Sequence, residues 1–220
     1  MPPLLVLVTA ALFVVIAVTD WVAVAQEDRR TEAVVKPAAL LALATAALAG
    51  GAADSAAGAW LVVALLLGTA GDAFLLGDSP RRFLGGLGAF LVGHLAYVAC
   101  FATLGISVSW WLAGGAVALA GALVTGRAVL PATLRSGGIG LAAPVAAYML
   151  VIAAMLVAGW GTGLVLVAAG AAVFVASDTV LALDRFARPR DWVAPWPHVA
   201  VMVTYHLGQG LIVLGVLRAA

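Results

Sequence analysis

Long apolar runs, interrupted at short intervals by turn-forming or charged residues, are the dominant pattern of this 220-residue chain. The runs are continuous rather than alternating, which is typical of buried or lipid-facing helices and not of strands with one solvated face. Because a helix needs roughly 20 apolar residues to cross a bilayer, the pattern predicts about eight spans. In chain order these are residues 3–24, 34–52, 57–76, 83–104, 108–126, 140–159, 162–183 and 197–217.

Composition supports a membrane location. Hydrophobic residues make up 65% of the chain and charged residues only 10%, with a mean hydropathy of +1.17. A soluble domain is about 45–50% apolar and about 25% charged. We therefore predict an all-α membrane protein, a bundle of about eight transmembrane helices. We expect a single transmembrane domain over residues 1–220, and we interpret the first run as a span rather than a signal peptide. Cys100 is the only cysteine, so no intrachain disulfide can form.

Basic residues mark one side of the predicted bundle. Of the 11 lysine and arginine residues, all but Arg218 fall in or beside alternate loops. The loops on this side carry Arg29, Arg30, Lys36, Arg81, Arg82, Arg127, Arg135, Arg185, Arg188 and Arg190. Short cytoplasmic loops are enriched in Lys and Arg. The bias predicts cytoplasmic basic loops, both termini outside, and residence in a plasma membrane such as the bacterial inner membrane.

Several polar residues lie inside the predicted spans, where ionisable groups are costly and usually functional. At about 1.5 Å per residue, Asp72 and Asp178 lie roughly 6–9 Å from the cytoplasmic ends of their spans. Tyr148 and Tyr205 lie roughly 12 Å in, and His94 approaches the midplane. One polar cavity that opens to the cytoplasmic leaflet would satisfy all five side chains.

Structural explanations compete with functional ones at the other polar positions. Asp20, next to Trp21, is interpreted as a solvated helix end, and Asp184 and His198 as wet span edges. Lys36 can reach the interface along its aliphatic stem. His94 can have a structural role, in which its ring donates a hydrogen bond to a backbone carbonyl and stabilises helix packing.

A short internal repeat relates the two halves of the chain. Pro37 precedes Asp72 in one half, and Pro144 precedes Asp178 at nearly the same spacing in the other. This pattern predicts two parallel four-helix halves, each contributing one Asp. Sequence motifs of serine hydrolases, zinc peptidases, nucleotide-binding loops and CxxC sites are absent from the sequence. We expect no metal ion or organic cofactor.

Six segments together resemble the YhhN-like lysoplasmalogenase family, and they cover spans 2–4 and 6–8. These are KPAALLALA (36–44), GDAFLLG (71–77), GLGAFLVGHLAYVACF (86–101), AAYMLVIAAM (146–155), AAVFVASDTVLALDRF (171–186) and VMVTYHLGQGLIVLG (201–215). The resemblance implies an eight-span enzyme that hydrolyses the vinyl ether of lysoplasmalogens. Its products are a fatty aldehyde and glycerophosphoethanolamine or glycerophosphocholine. The family's polar positions fall on Lys36, Asp72, His94, Tyr97, Tyr148, Ser177, Asp178, Tyr205 and Gln209.

Two carboxylates suit this chemistry, because one can protonate the vinyl ether while the other stabilises the cation and activates water. Which of Asp72 and Asp178 is the acid stays open. Tyr148 and Tyr205 would orient the water or the ether oxygen. Lys36, with Arg81 or Arg82, would bind the lipid phosphate, and His94, Tyr97, Ser177 and Gln209 complete the predicted substrate site. The expected partners are a lysophospholipid and membrane lipid, and not nucleic acid.

Two other functional classes fit part of the pattern. Repeated halves and polar groups inside the membrane also occur in small transporters. Here, however, the polar residues lie mostly in one half of the membrane, which leaves a path to the other side incomplete. A lipid-binding or scaffold protein without catalysis is the second alternative.

Overall fold

A computed structural model describes residues 3–187 and 196–219 of the chain. These residues form seven long helices: α1 (Pro3–Ala25), α2 (Arg29–Ala49), α3 (Ala56–Leu75), α4 (Pro80–Ala102), α5 (Val108–Gly161), α6 (Val165–Ala182) and α7 (Trp196–Ala219). A short 3₁₀ helix covers Ala52–Asp54, and a π-helical turn, Leu183–Ala187, continues α6. Each of the seven is long and apolar enough to cross a membrane. The chain is therefore an integral membrane protein with an all-α fold.

The described residues contain seven helices of this length rather than the predicted eight, so the predicted helix count is wrong. Predicted spans 108–126 and 140–159 both lie within α5, which has 54 residues. The predicted loop between them is helical through Pro131, and the backbone leaves helical values only at Gly138, with φ 60° and ψ −158°. Gly tolerates this positive φ because it has no Cβ.

Helix α5 is folded back on itself. The Ser107 amide donates to the Gly161 carbonyl at 2.7 Å, and the Trp110 and Trp160 ring centroids are 6.0 Å apart. Further along, a Cβ at Gly126 would lie 3.7 Å from the Met149 methyl carbon. As the residue number increases along the first segment, from 107 to 126, the number of the contacting residue in the second segment decreases, from 161 to 149. This order of contacts indicates an antiparallel hairpin. A straight helix of this length would span about 81 Å, far more than a bilayer of about 30 Å.

Local sequence explains the starts of several helices. Asp28 caps α2 by accepting hydrogen bonds from the Arg30 and Thr31 amides, so α2 begins five residues before the apolar run at 34. The hydrogen bond from the Thr31 hydroxyl is the main cause that lowers the pKa of Asp28. Ser55 and Ser79 cap α3 and α4 in the same way.

Helix α7 lies at the centre of the bundle and α1 at its edge. More than half of α7 is buried, compared with less than a fifth of α1. α7 packs closely on α6, and also contacts α1, α2 and α3. It therefore meets elements from both ends of the chain. The predicted division into two parallel four-helix halves requires eight helices and is therefore also wrong, since the described residues form seven long helices.

The basic loop predicted after span 7 includes Arg188 and Arg190, which lie outside the described residues.

Candidate functional site

Asp72 is held by a tyrosine from the central helix. Its carboxylate, on α3, accepts a hydrogen bond of 3.0 Å from the Tyr205 hydroxyl on α7. Asp72 is only 2% exposed. Gly68, one turn earlier on α3, leaves room for the contact, because a Cβ there would lie 3.4 Å from the Tyr205 hydroxyl. Both residues belong to the site predicted from the sequence, and the structure brings them together.

Asp178 is held in the same way by a different tyrosine. The Tyr148 hydroxyl, on the second half of α5, donates to the Asp178 carboxylate on α6. Unlike Asp72, Asp178 is only partly buried. No hydrogen bond joins Asp72 to Asp178 within the described ranges, since each carboxylate bonds its own tyrosine. The direct Asp–Asp dyad stays a prediction.

Aromatic rings connect the two Asp–Tyr pairs. The His94 ring centroid is 5.3 Å from that of Tyr148 and 5.0 Å from that of Phe174. Phe174 is in turn 5.3 Å from Tyr205. His94 is 1% exposed, and its ring faces the Phe90 carbonyl one turn earlier without reaching hydrogen-bond geometry. The two carboxylates are thus connected through four aromatic side chains, with the His94 imidazole among them. We call this set the aromatic layer, and it consists of Asp72, Tyr205, Phe174, His94, Tyr148 and Asp178.

Three other predicted residues support this layer from within the core. The Tyr97 hydroxyl donates to the Gln209 side-chain carbonyl, which joins α4 to α7. The Ser177 hydroxyl donates to the Val201 carbonyl at 2.9 Å, which joins α6 to α7. All three side chains are buried. The Ser177 bond secures helix packing next to Asp178.

Lys36 lies among acidic residues. Its ammonium nitrogen is 3.4 Å from the Glu32 carboxylate, one turn earlier on α2, and its side chain is 13% exposed. It is also near enough to act electrostatically on the carboxylates of Asp20 and Asp72. This setting makes Lys36 a counter-charge for buried carboxylates.

Asp20 is not the solvated helix end that its sequence position suggested. It is 0% exposed, and no described residue donates a hydrogen bond to either carboxylate oxygen. Next to it, the Trp21 indole donates to the Met202 carbonyl at 3.2 Å and to the His206 ring at 3.0 Å. These hydrogen bonds join α1 to α7 next to Asp20, and the packing of the two helices buries the Asp20 side chain. The burial of Asp20 depends on contacts with another helix, α7. The position of Asp20 in the sequence, five residues before the end of α1, therefore did not indicate that it is buried.

A cavity of about 440 Å³ opens beside the layer, between α4, both halves of α5, and α6. Its wall is mostly aliphatic and aromatic, and it includes Tyr148 and Asp178 but not Asp72 or Tyr205. Arg185 also lines it. From the sequence, Arg185 was predicted only as a basic residue of a loop. Its spacing of seven residues from Asp178, about two helical turns, was the available signal that both share one face.

Arg81 and Arg82 lie in the first turn of α4 and are exposed. Among the described residues, no hydrogen bond or ion pair joins either guanidinium to the buried layer. The His198 side chain is 61% exposed, which confirms this residue as a wet span edge. The Asp184 side chain lies 3.3 Å from His198 and is only 13% exposed, so the same prediction is wrong for Asp184. No cluster of three or more His, Cys, Asp or Glu side chains suited to a metal ion occurs in the described part of the chain.

Comparison with known proteins shows the family of the chain. Residues 31–216 match the YhhN family. The chain belongs to the YhhN family. It is also 35% identical over 164 residues to the lysoplasmalogenase TMEM86B of Homo sapiens, an alignment that covers 71% of this chain and 62% of that protein. The chain thus spans less than two thirds of that relative's length. No solved structure matches the chain.

The family match includes every residue of the two Asp–Tyr pairs and of the aromatic layer between them. It also includes Lys36 and Arg185. Asp20 lies before the first matched residue, 31. The matched region therefore begins within α2 and extends into α7, and it does not include α1.

Proposed function

We propose that this YhhN-family chain hydrolyses the vinyl ether bond of a lysoplasmalogen or a related lysolipid. The products are a fatty aldehyde and glycerophosphoethanolamine or glycerophosphocholine. The observation that carries the proposal is the apolar cavity with a carboxylate and a tyrosine in its wall. Its volume of about 440 Å³ is in the range of small-molecule sites, about 300–1,000 Å³. The human relative's name, lysoplasmalogenase, agrees with this activity.

The proposed reaction begins with transfer of a proton from a carboxylic acid to the β-carbon of the vinyl ether. The resulting oxocarbenium ion is stabilised by a carboxylate, and water adds to it while losing a proton to a base. The hemiacetal hydroxyl then returns its proton to the carboxylate that acted as the acid, and the bond from the hemiacetal carbon to the glycerol oxygen breaks. The glycerol oxygen takes up the proton that the base had accepted from water, and the fatty aldehyde is released. One water molecule is consumed, and the catalytic groups return to their starting protonation states.

We assign the substrate-contacting role to Asp178 and Tyr148, because both line the cavity. Asp72 and Tyr205, which the aromatic layer connects to the first pair, form the second carboxylate site of the mechanism. Enclosure among apolar and aromatic side chains strengthens electrostatic effects on the developing cation. Lys36, with Arg81 and Arg82, stays a predicted binding set for the lipid headgroup.

Asp72→Asn and Asp178→Asn test the proposal directly. Each variant keeps the size of the side chain but removes its acid–base function, so turnover should fall by about 10²–10⁴-fold. The measurement is aldehyde release by purified protein from 1-alkenyl lysolipids in detergent micelles.

Asp54→Asn is the matched control, since Asp54 is exposed in the 3₁₀ helix at the other end of α3 and should keep wild-type turnover. Near-wild-type aldehyde release by both site variants would refute the carboxylate mechanism. Lysolipid binding without any aldehyde release by the wild-type protein would support the lipid-binding alternative instead.

We also propose that both segments of α5 cross the membrane. Both termini would then lie outside and the basic loops in the cytoplasm. The antiparallel contacts within α5 support this topology, because they return the chain to the side from which α5 begins.

A further inference from the structure

Arg185 is the basic side chain that the cavity wall contains. It lies in the π-helical turn Leu183–Ala187, seven residues after Asp178, and both residues line the same cavity. At 1.5 Å per residue their α-carbons are about 10 Å apart along the axis. The rest of the wall is nearly all aliphatic or aromatic. The described part of the cavity wall thus contains one cation and one carboxylate in an otherwise almost wholly apolar lining.

The Arg185 guanidinium is positioned by stacking rather than by ion pairing. Its central carbon lies 3.9 Å from the centroid of the Phe83 ring and 5.9 Å from that of Phe186. Those two rings meet edge to face at 6.0 Å, which fixes the platform. Because stacking uses the face of the guanidinium plane, the N–H groups at its edge stay available for a ligand.

Among the described residues, no carboxylate forms an ion pair with Arg185. Asp78, in the turn between α3 and α4, is near enough to act on Arg185 electrostatically, but its carboxylate pairs with Arg29 at 3.1 Å. No described residue accepts a hydrogen bond from Arg185. A planar cation with free donors is the receptor that suits a phosphate, which it can bind through two parallel hydrogen bonds.

We propose that Arg185 binds the phosphate of a single-chain phospholipid whose hydrocarbon chain occupies the cavity. The glycerol part then lies along α6 between the Arg185 guanidinium and the Asp178 carboxylate. This inference rests on the proposed function for the kind of lipid, and it adds the residue that selects the phosphate. Lys36 lies outside the cavity wall, with Glu32, and so contacts the ligand less directly than Arg185 does.

The test measures binding rather than turnover, with three probes in detergent micelles. The first is a saturated 1-O-alkyl lysophosphoethanolamine, which has no vinyl ether to cleave. The second is the matching 1-O-alkylglycerol, which lacks the phosphate, and the third is glycerophosphoethanolamine, which lacks the chain. Arg185→Gln should weaken binding of the first probe by about tenfold or more, since a charge-assisted contact is lost.

The same substitution should leave affinity for the alkylglycerol unchanged, and Arg185→Lys should give an intermediate loss because Lys cannot bind bidentately. Arg127→Gln is the matched control, since Arg127 is exposed on α5 and does not line the cavity. Thermal unfolding of each variant confirms that the bundle remains folded.

Equal loss for both chain-bearing probes would assign Arg185 a structural role and overturn the proposal. Unchanged affinity for the phosphate-bearing lipid would also overturn it. If glycerophosphoethanolamine binds as tightly as the lipid with the same dependence on Arg185, the site is one for free phosphate esters and the lipid assignment is wrong. Because none of the probes is hydrolysed, the result is independent of the vinyl ether hydrolase activity.

Discussion

At the scale of single residues, the two tyrosine hydroxyls organise the site. Each donates to a carboxylate on another helix, Tyr205 to Asp72 and Tyr148 to Asp178. The first pair is fully enclosed, whereas the second borders a cavity. The two Asp–Tyr pairs have the same chemistry but differ in how easily a small molecule can reach them. Only the Asp178–Tyr148 pair lines the cavity, so this pair is the better placed to contact a substrate.

Asp20 should reduce the stability of the bundle, because an unpartnered buried polar group costs about 1–3 kcal/mol. Asp20→Val, a change of similar size, should raise the free energy of unfolding by about that amount. The measurement is the thermal unfolding midpoint in detergent. Asp20→Asn should gain less, since it keeps a polar group in the same place. A lower midpoint for the valine variant would show that the Asp20 carboxylate is stabilised by its surroundings, for example by Lys36.

At the scale of elements, close backbone approach holds the central pair of helices together. A Cβ at Gly170 on α6 would lie 2.8 Å from the Gly208 carbonyl oxygen on α7, and one at Gly208 would lie 2.9 Å from the Phe174 amide. Small residues allow such contact in lipid, where apolar burial does not drive helix association. The contact sets α6 against α7 beside Ser177, one residue from Asp178.

Gly208→Ala should therefore separate α6 and α7 and destabilise the protein by about 1–3 kcal/mol, the usual cost of overpacking. Gly210→Ala, on the same helix, is the matched control, since its Cβ would meet only the Phe13 ring at 3.5 Å. Thermal unfolding of both variants in one detergent makes the comparison. Equal stability of the two variants would contradict the role assigned to the Gly170–Gly208 contact.

At the scale of the whole molecule, the proposed topology depends on the hairpin in α5. Seven single crossings would place the two termini on opposite sides, whereas two crossings by α5 place them on the same side. The second arrangement keeps the α1–α2 loop, the α3–α4 turn and the bend at Gly138 on one side of the membrane.

Cysteine labelling tests this topology, because Cys100, the only native cysteine, is buried and can be replaced by serine. In that background we expect Gln26→Cys and Ser136→Cys to react with a membrane-impermeant maleimide from the cytoplasmic side. Ile106→Cys, in the α4–α5 loop, should react from the other side. Labelling of positions 26 and 136 from opposite faces would show that α5 does not cross twice.

Much of the helix pattern could be predicted from the sequence, because lipid requires long apolar helices with internal backbone hydrogen bonds. The failure at α5 has a local cause. Residues 127–137 contain basic residues and Pro131, which signal a loop, yet their backbone can stay helical and reverse at Gly138 alone. Local propensity does not show where a chain turns when a single glycine suffices.

The selection of Asp72, Asp178, Tyr148 and Tyr205 also followed from the sequence alone, since polar side chains within a span stand out against an apolar background. Which hydroxyl meets which carboxylate did not follow, because the two tyrosines lie at similar depth and the pairing depends on how α5 and α7 face α6 and α3. Asp20 was misinterpreted for the same reason, as its enclosure comes from contacts of α1 with α7.

The amino-acid sequence by itself determined that this chain lives in a membrane, that its helices are long and apolar, and that two aspartates lie within them. These features depend on composition and spacing along one chain segment at a time. Only the tertiary structure decided that the aspartates bond separate tyrosines, that Asp178 rather than Asp72 lines a cavity, and that Arg185 stands in that cavity's wall. Such features depend on the rotation and contact of helices far apart in the chain, which packing between small residues sets and no local pattern encodes.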